Sequence, residues 1–164
     1  MKSKIILVVN GEPNSIFSEI FIKSLNKIKI DSPIVYIFSK KLLQLQMKKL
    51  KFKKNLKLID PNKINKYKLN NKSINLIDID YEQNKAFIKI SNKSEKFIKK
   101  TFEVAFKIIK KEKITRFING PISKKHFLNK KYLGMTEYIS EYFQKKNTCM
   151  LILNKNLSVC PSDN

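Results

Sequence analysis

The sequence predicts an α/β fold with a parallel or mixed sheet flanked by helices, because short apolar runs alternate with longer runs of helical periodicity. The run KIILVV at 4–9 has the length of a strand, and apolar residues at helical spacing follow it after a turn. The same order recurs where PIVYIF at 33–38 precedes a helical segment. With 164 residues and 42% hydrophobic content, the chain can form one domain, or the larger piece of a split one, with a buried core.

The individual elements follow from apolar runs and the turn signals between them. Strands are expected at 4–9, 33–38, 56–59, 74–79, 114–118, 148–153 and 157–160. Helices are expected from residue 15 onward and at 39–50, 94–113, 122–131 and 136–145. Ser15 and Ser39 are the predicted N-caps of the first two helices. The last two strands are joined by Asn154-Lys155-Asn156, which is a hairpin-type turn.

The two best-defined helical patterns also predict which face is buried. In the first helix the apolar face is Ile16, Ile20, Phe21 and Leu25. The segment 94–113 has the broadest apolar face, and lysines in its last turn complement the helix dipole. That face consists of Phe97, Ile98, Phe102, Ala105, Phe106, Ile108 and Ile109.

The middle of the chain, 51–91, is less regular than the rest. Its two short strands are separated by a connector rich in Asn and Lys, with Asp60-Pro61 as a turn signal. We expect a divergent, peripheral insertion or edge region here.

The charge is extreme, because 35 Lys and Arg residues against 13 Asp and Glu give a net charge of +22. One explanation is a module that binds nucleic acid or another polyanion. The other is compositional drift, since Lys, Asn and Ile share AT-rich codons. Drift is favoured, and nucleic acid is an improbable partner, because Arg116 is the single arginine and proteins that bind phosphates or bases prefer arginine.

The cysteines and the apolar segments indicate in which cellular compartment the protein is expected. Cys149 and Cys160 are too few for a disulfide framework and have no metal-ligand spacing, so buried free thiols are expected. No apolar run approaches the roughly 18 residues of a membrane span. The basic start and five-residue apolar run at 5–9 lack a signal-peptide cleavage site, so we expect a cytoplasmic protein without membrane partners.

Three loops after predicted strands could form a small-anion or phosphate site. They are 10–15, 119–124 and 134–137. Gly120 would let a ligand approach the backbone, while Lys124 and Thr136 would lie near helix N-termini, where free N–H groups attract anions. Ordinary helix capping explains the same residues without a ligand. The single histidine, His126, is expected to be a surface or packing residue, and no dinucleotide fingerprint or Walker A loop is present.

Two segments carry a resemblance to a known family. VVNGEPNSIFSEIFIKSL resembles the GEPAGIGPE opening of the 4-hydroxythreonine-4-phosphate dehydrogenases, and FINGPISKKHFLNKKYLGMTEYISEYF resembles their TGPINK…GHTEFLA segment. The helix at 94–113 lies where that family has one. The resemblance runs from residue 5 to about 160, with 51–91 divergent.

The resemblance implies an isocitrate/isopropylmalate-dehydrogenase-like fold and a homodimer with active sites at the interface. It also implies NAD-dependent oxidation and decarboxylation of 4-phosphohydroxy-L-threonine, with a divalent metal that polarises the hydroxyl, in pyridoxal phosphate biosynthesis.

Residue by residue, the resemblance assigns substrate binding to three positions. Thr136 and Met135 correspond to the family's His-Thr pair, so a thioether replaces an imidazole donor. Lys124 matches the lysine after Gly-Pro, and Ser123 replaces Asn or His. The family's metal-binding histidines have no counterpart in this sequence. We therefore expect an N-terminal portion of the dehydrogenase, truncated or frameshifted and inactive alone, with the C-terminal half absent.

Overall fold

The computed structural model describes residues 5–123, 132–146 and 148–160. The chain divides into two compact units, Met1–Ile122 and Ser123–Asn164. Each unit is treated by itself below.

The first unit is an α/β sandwich built on a five-stranded sheet. In chain order its elements are β1 (Ile6–Val9), α1 (Phe17–Lys27), β2 (Ile34–Phe38), α2 (Lys40–Lys49), β3 (Leu56–Leu58), β4 (Ile74–Asp78), α3 (Glu95–Glu112) and β5 (Arg116–Asn119). The strand order is β3-β4-β2-β1-β5, and every adjacent pair is parallel. The predicted α/β class with a parallel sheet flanked by helices is confirmed.

The core lies between the sheet and its helices, and aromatic rings occupy much of it. All five residues of β2 are buried, which is the pattern of a strand covered on both faces. On α3, Phe102 and Phe106 are fully buried, and their ring centroids lie 6.2 Å and 6.0 Å from that of Phe117 on β5. Each such buried side chain contributes roughly 1.5–3 kcal/mol of hydrophobic stabilisation.

Helix α1 buries a face that is rotated from the predicted one and shares Phe21 with it. Ile16 and Ile20 are 64% and 50% exposed, whereas Ser18, Phe21 and Ile22 are buried. The buried residues form an i, i+3, i+4 stripe, and the Phe21 ring stacks on Tyr36 with a centroid separation of 4.1 Å. The prediction is therefore confirmed at Phe21 and wrong at Ile16 and Ile20.

The two predicted serine caps have different outcomes. At α2, Ser39 is the N-cap, and its Oγ accepts a hydrogen bond of 3.3 Å from the Leu42 N–H, as predicted. At α1 the N-cap is Ile16, one residue later than predicted. Ser15 Oγ accepts instead from the Phe17 N–H at 3.3 Å, so it supports the helix start from outside the cap position.

The segment 51–91 is less peripheral than expected. β4 lies between β2 and β3 and is buried at four of its five residues, so of the two strands in this segment β3 is the one at an edge of the sheet. Two asparagines hold the segment: Asn75 of β4 donates from Nδ2 to the Ile34 carbonyl at 2.8 Å, and Asn71 of the connector donates from Nδ2 to the Ser32 carbonyl at 2.9 Å. Both amides thus bind backbone carbonyls at, or just before, the start of β2.

The second unit contains one described helix and one hairpin. These are α4 (Met135–Phe143), β6 (Ile152–Asn154) and β7 (Leu157–Val159), with the two strands antiparallel around the predicted turn. The predicted helix at 122–131 falls mostly on 124–131, which lie outside the described residues, and Ile122 and Ser123 are not helical.

Both cysteines are exposed, so the expectation of buried thiols is wrong. Cys149 and Cys160 flank β6 and β7, whose residues are all exposed. An apolar run predicts burial only where another layer covers the strand, and within the described part of the second unit no element covers this hairpin.

Among the helices that the structure describes, none is both long and apolar enough to cross a membrane.

Candidate functional site

Two of the three candidate loops, 10–15 and 119–123, lie side by side at the carboxyl edge of the sheet. β1 pairs with β5 in parallel, and Val9 at the end of β1 is in register with Asn119 at the end of β5. The loops that follow, 10–15 and 119–123, therefore leave the sheet at neighbouring points. In open α/β sheets, ligands bind outside the carboxyl ends of strands, where connections diverge to opposite sides.

Backbone hydrogen bonds join these two loops directly. The Gly120 N–H donates to the Val9 carbonyl, and the Glu12 N–H donates to the Pro121 carbonyl, both at 2.8 Å. Gly11 makes the turn possible, because its φ of +70° lies in the left-handed region that disfavours side chains. Pro121 therefore acts here through its carbonyl rather than as the first residue of a helix.

The absence of a side chain at Gly120 serves packing within the protein. A Cβ on Gly120 would lie 2.0 Å from the Asn10 carbonyl oxygen and 2.6 Å from Cγ of Phe17. A Cβ on Gly11 would lie 2.4 Å from the Pro121 oxygen. The expectation that Gly120 opens its backbone to a ligand therefore needs correction, because neighbouring loop atoms occupy that space.

The side chain of Asn10 holds loop 10–15 in place. Its side chain is buried, and Nδ2 donates to the Glu12 carbonyl at 2.9 Å. The Tyr36 hydroxyl donates to Asn10 Oδ1. Complete burial raises the pKa of Tyr36 well above its ordinary value of 10.0, because a phenolate there would lose its hydration.

Glu12 is a buried carboxylate at the centre of the loop, only 2% exposed. Ser94, which precedes α3, donates from Oγ to Glu12 Oε2 at 2.7 Å. The pKa of Tyr81 is raised, first by burial and second by the negative charge of Glu12. Sequence reasoning included Glu12 in a candidate loop but did not assign it a role. Two signals pointed to it: an acidic residue placed shortly after an apolar strand, and its match to the Glu of the GEP opening in the resemblance.

Loss of stability at high pH is a direct consequence of the buried phenol of Tyr36. The pKa of Tyr36 in the folded state is raised above the unfolded value of about 10. The contribution of the buried phenol to the free energy of unfolding is therefore complete below about pH 10 and is lost as the pH rises toward the folded-state pKa. We expect urea midpoints to fall between about pH 10 and 11. Tyr36→Phe should be less stable at neutral pH, through loss of the Asn10 hydrogen bond, but its midpoint should fall less steeply with pH. An equal slope in both proteins would contradict this assignment.

Further side chains hold the first loop from two other segments. Asn14 and Gln83 exchange amide hydrogen bonds, with Asn14 Nδ2 donating at 3.0 Å and Gln83 Nε2 donating at 2.8 Å. From α2, Gln46 Nε2 donates to the Pro13 carbonyl at 2.9 Å. Loop 10–15 is therefore held in one conformation by polar contacts from the sheet, α2 and the segment after β4.

The start of α4, in the second unit, contains two of the three residues to which the resemblance assigns substrate binding. Met135 and Thr136 are its first two residues and are both half-buried. Gly134 is the N-cap, and because glycine has no side chain it accepts no hydrogen bond from the N–H groups of the first turn. The Thr136 carbonyl accepts a hydrogen bond from Ser140 Oγ at 2.7 Å, inside the helix. This helix start can therefore offer N–H groups and a hydroxyl to an anion.

One acidic side chain opposes an anion at this helix start. Glu137 lies in the first turn, and its Oε2 would be 3.1 Å from a Cβ on Gly134, so the carboxylate folds back toward the cap. An incoming phosphate would have to displace it. Lys124, the third assigned residue, and His126 lie outside the described residues.

A separate cationic groove lies between α2 and the segment after β4. It is open and has a volume of about 650 Å³. Lys48, Lys49 and Lys85 line it, and Lys49 Nζ lies 5.9 Å from the ring centroid of Phe87. Exposed ammonium groups of this kind attract anions weakly and without geometric selection.

The residues described do not make a metal centre. Over 5–123, 132–146 and 148–160, no three His, Cys, Asp or Glu side chains are grouped so that they could hold a metal ion. The described side chains therefore do not fit the divalent metal that the resemblance implies.

Comparison with solved structures places the chain among α/β dehydrogenase folds. It matches a 4-hydroxythreonine-4-phosphate dehydrogenase from Klebsiella pneumoniae with a TM-score of 0.80 and 20% identity over 97% of this chain. It matches one from Burkholderia phymatum with a TM-score of 0.80 and 18% identity over 98% of this chain. A putative enzyme of that name from Salmonella typhimurium gives a TM-score of 0.79 and 20% identity over 96% of this chain. The chain spans about half the length of each, since the matches cover 49%, 49% and 50% of those chains.

The sequence itself identifies the family. Residues 29–162 match the family model described as pyridoxal phosphate biosynthetic protein PdxA. This chain belongs to that family, as the resemblance predicted. Among curated proteins, the sequence has no match.

Proposed function

We propose that this chain provides the substrate-side part of an NAD-dependent enzyme that oxidises and decarboxylates 4-phosphohydroxy-L-threonine in pyridoxal phosphate biosynthesis. The observation that carries the proposal is the family match over residues 29–162. The dehydrogenase-like fold is consistent with it.

Three residues would bind the substrate in this proposal. The Thr136 hydroxyl and the N–H groups at the start of α4 would hold the phosphate or carboxylate of the substrate, where the helix dipole favours negative charge. The Lys124 ammonium would pair with the same anion. Met135 would contribute contact without the hydrogen bond that a histidine provides, so binding should be weaker than with an imidazole there.

The remaining parts of the proposal come from the resemblance. NAD would accept the hydride from the substrate hydroxyl, and a homodimer in the cytoplasm would be the working form. We also propose that the chain alone is inactive, because its one histidine cannot replace the several metal-binding histidines that the resemblance calls for. Purified chain that reduces NAD with 4-phosphohydroxy-L-threonine and a divalent metal would refute this inactivity.

Substrate binding can be tested without turnover. Isothermal titration with 4-phosphohydroxy-L-threonine should show saturable binding, and Thr136→Ala should weaken it by roughly 10- to 150-fold, because a hydrogen bond to a charged group is worth roughly 1.5–3 kcal/mol. Thr115→Ala is the matched control, since Thr115 is an exposed threonine of the first unit, away from the helix start. Equal affinities for the two variants would remove Thr136 from the site.

The same titration separates the enzyme from the polyanion-binding alternative. A dehydrogenase site should prefer the phosphorylated hydroxy amino acid over inorganic phosphate and polyphosphate. A basic module acting through lysines such as those of the cationic groove should bind polyphosphate or an oligonucleotide more tightly, with affinity that falls steeply as salt rises. Binding of this second kind, unaffected by Thr136→Ala, would favour the alternative.

A further inference from the structure

The fold brings the two cysteines of the sequence to the same end of the β6–β7 hairpin. Ile152 pairs with Val159 at the open end of the hairpin, and one further step of this register would set Leu151 opposite Cys160. Cys149 lies two residues before Leu151, and residues two apart in an extended chain face the same side. Extended in this way, the register makes Cys149 and Cys160 diagonal neighbours on one face. Such neighbours are about 7–8 Å apart, slightly more than a disulfide spans, so the open end of the hairpin would have to close a little to form the bond.

Both thiols are accessible, because Cys149 and Cys160 are exposed and free. The pKa of Cys160 is raised, first by a side-chain hydrogen bond with Cys149 and then by partial desolvation and the charge of Cys149. A raised pKa disfavours the attacking thiolate, so thiol exchange at Cys160 should be slow at neutral pH and faster as the pH rises. Exposure leaves both thiols open to a small-molecule disulfide, unlike cysteines buried in a core.

We propose that Cys149 and Cys160 form a reversible intramolecular disulfide that closes the open end of the β6–β7 hairpin, with a small-molecule disulfide such as oxidised glutathione as the oxidant. This inference does not depend on the proposed enzymatic function, since it concerns only the hairpin.

The exchange balances in two steps. One cysteine thiolate attacks the glutathione disulfide, forming a mixed disulfide and releasing one glutathione thiolate. The second cysteine thiolate then attacks the protein sulfur of that mixed disulfide, so the Cys149–Cys160 bond forms and the second glutathione leaves. The cysteine pair loses two electrons to the oxidant, and the two protons of the thiols go to the released glutathione.

The structural consequence follows from the size of the hairpin. An isolated two-stranded hairpin is marginal in water, and here each strand has three exposed residues. A covalent link across its open end removes conformations that the reduced chain can adopt. Oxidation should therefore order the hairpin, and reduction should loosen it.

The test uses the full chain at low concentration, incubated with oxidised glutathione and analysed by intact mass spectrometry. The expected product is a monomer lighter by two hydrogens, with Cys149 and Cys160 linked in peptide maps. Each single variant, Cys149→Ser and Cys160→Ser, should instead gain one glutathione. Phenylarsine oxide, which bridges neighbouring thiols, should protect both thiols from alkylation in the original chain but not in either variant.

A second readout tests the change in order. Lys155 lies in the turn between β6 and β7, so trypsin reports access to the hairpin. Cleavage after Lys155 should be at least severalfold slower in the oxidised chain than in the reduced chain. Two glutathione adducts per chain, disulfide-linked dimers as the main product, or equal cleavage rates in both redox states would each overturn the proposal.

Discussion

Replacing Gly120 by alanine is expected to lower the free energy of unfolding by about 4 kcal/mol. The new methyl group would lie 2.0 Å from the Asn10 carbonyl oxygen and 2.6 Å from Phe17 Cγ. The first of these is backbone, and it belongs to a loop that is held by the Tyr36 and Glu12 contacts. The two loops would have to separate, which would break the hydrogen bonds from Gly120 to Val9 and from Glu12 to Pro121.

Gly134→Ala is the matched control for this substitution. Among the described residues, a Cβ there meets only the flexible Glu137 carboxylate, at 3.1 Å, and the φ of −162° is accessible to any residue. We expect a cost below about 1 kcal/mol. Urea unfolding followed by far-ultraviolet circular dichroism would measure both variants. A cost for Gly120→Ala as small as that for Gly134→Ala would show that the two loops are not packed as described.

The alternation of strand-length and helical runs was sufficient to predict the α/β class, because the central strands β1 and β2 are continuously hydrophobic. The faces were harder to predict. In α1, Phe21 belongs to the predicted face and stacks on Tyr36, but Ser18 and Ile22 are buried rather than Ile16 and Ile20. Which neighbours of Phe21 are covered depends on the tertiary position of the sheet, which local periodicity does not give.

The candidate site shows the same limit. The turns at Gly11 and Gly120 could be located from sequence, but their purpose could not, because a glycine needed for chain packing and one needed for ligand access have the same local pattern. Glu12 was not singled out, since its partner Ser94 is 82 residues away along the chain. The assignments of Lys124, Met135 and Thr136 depend on the resemblance and stay predictions.

Removing the buried carboxylate of Glu12 is the second large effect that we expect. Glu12→Ala should cost about 3 kcal/mol, because it leaves a cavity and takes away the nearer of the two acceptors of the buried Ser94 hydroxyl, the other being the Ser91 carbonyl at 3.0 Å. Glu12→Gln retains the volume and an acceptor oxygen and should cost less. In a double-mutant cycle with Ser94→Ala, measured by urea unfolding, the two positions should show a coupling of about 1–2 kcal/mol. Additive costs would mean that the Glu12–Ser94 hydrogen bond does not contribute to stability.

Tyr81 reports whether Glu12 acts through its charge as well as its volume. The pKa of Tyr81 is raised by burial and, to a smaller extent, by the carboxylate of Glu12. Glu12→Gln removes the charge but retains the burial, so the pKa of Tyr81 should move part of the way down toward 10.0. Alkaline titration followed by the nuclear magnetic resonance signals of Tyr81 would measure the change, with Ser94→Ala as a variant that retains the charge. An unchanged pKa of Tyr81 in Glu12→Gln would mean that residue 12 is neutral in the folded protein, and the loop would then be held by neutral hydrogen bonds alone.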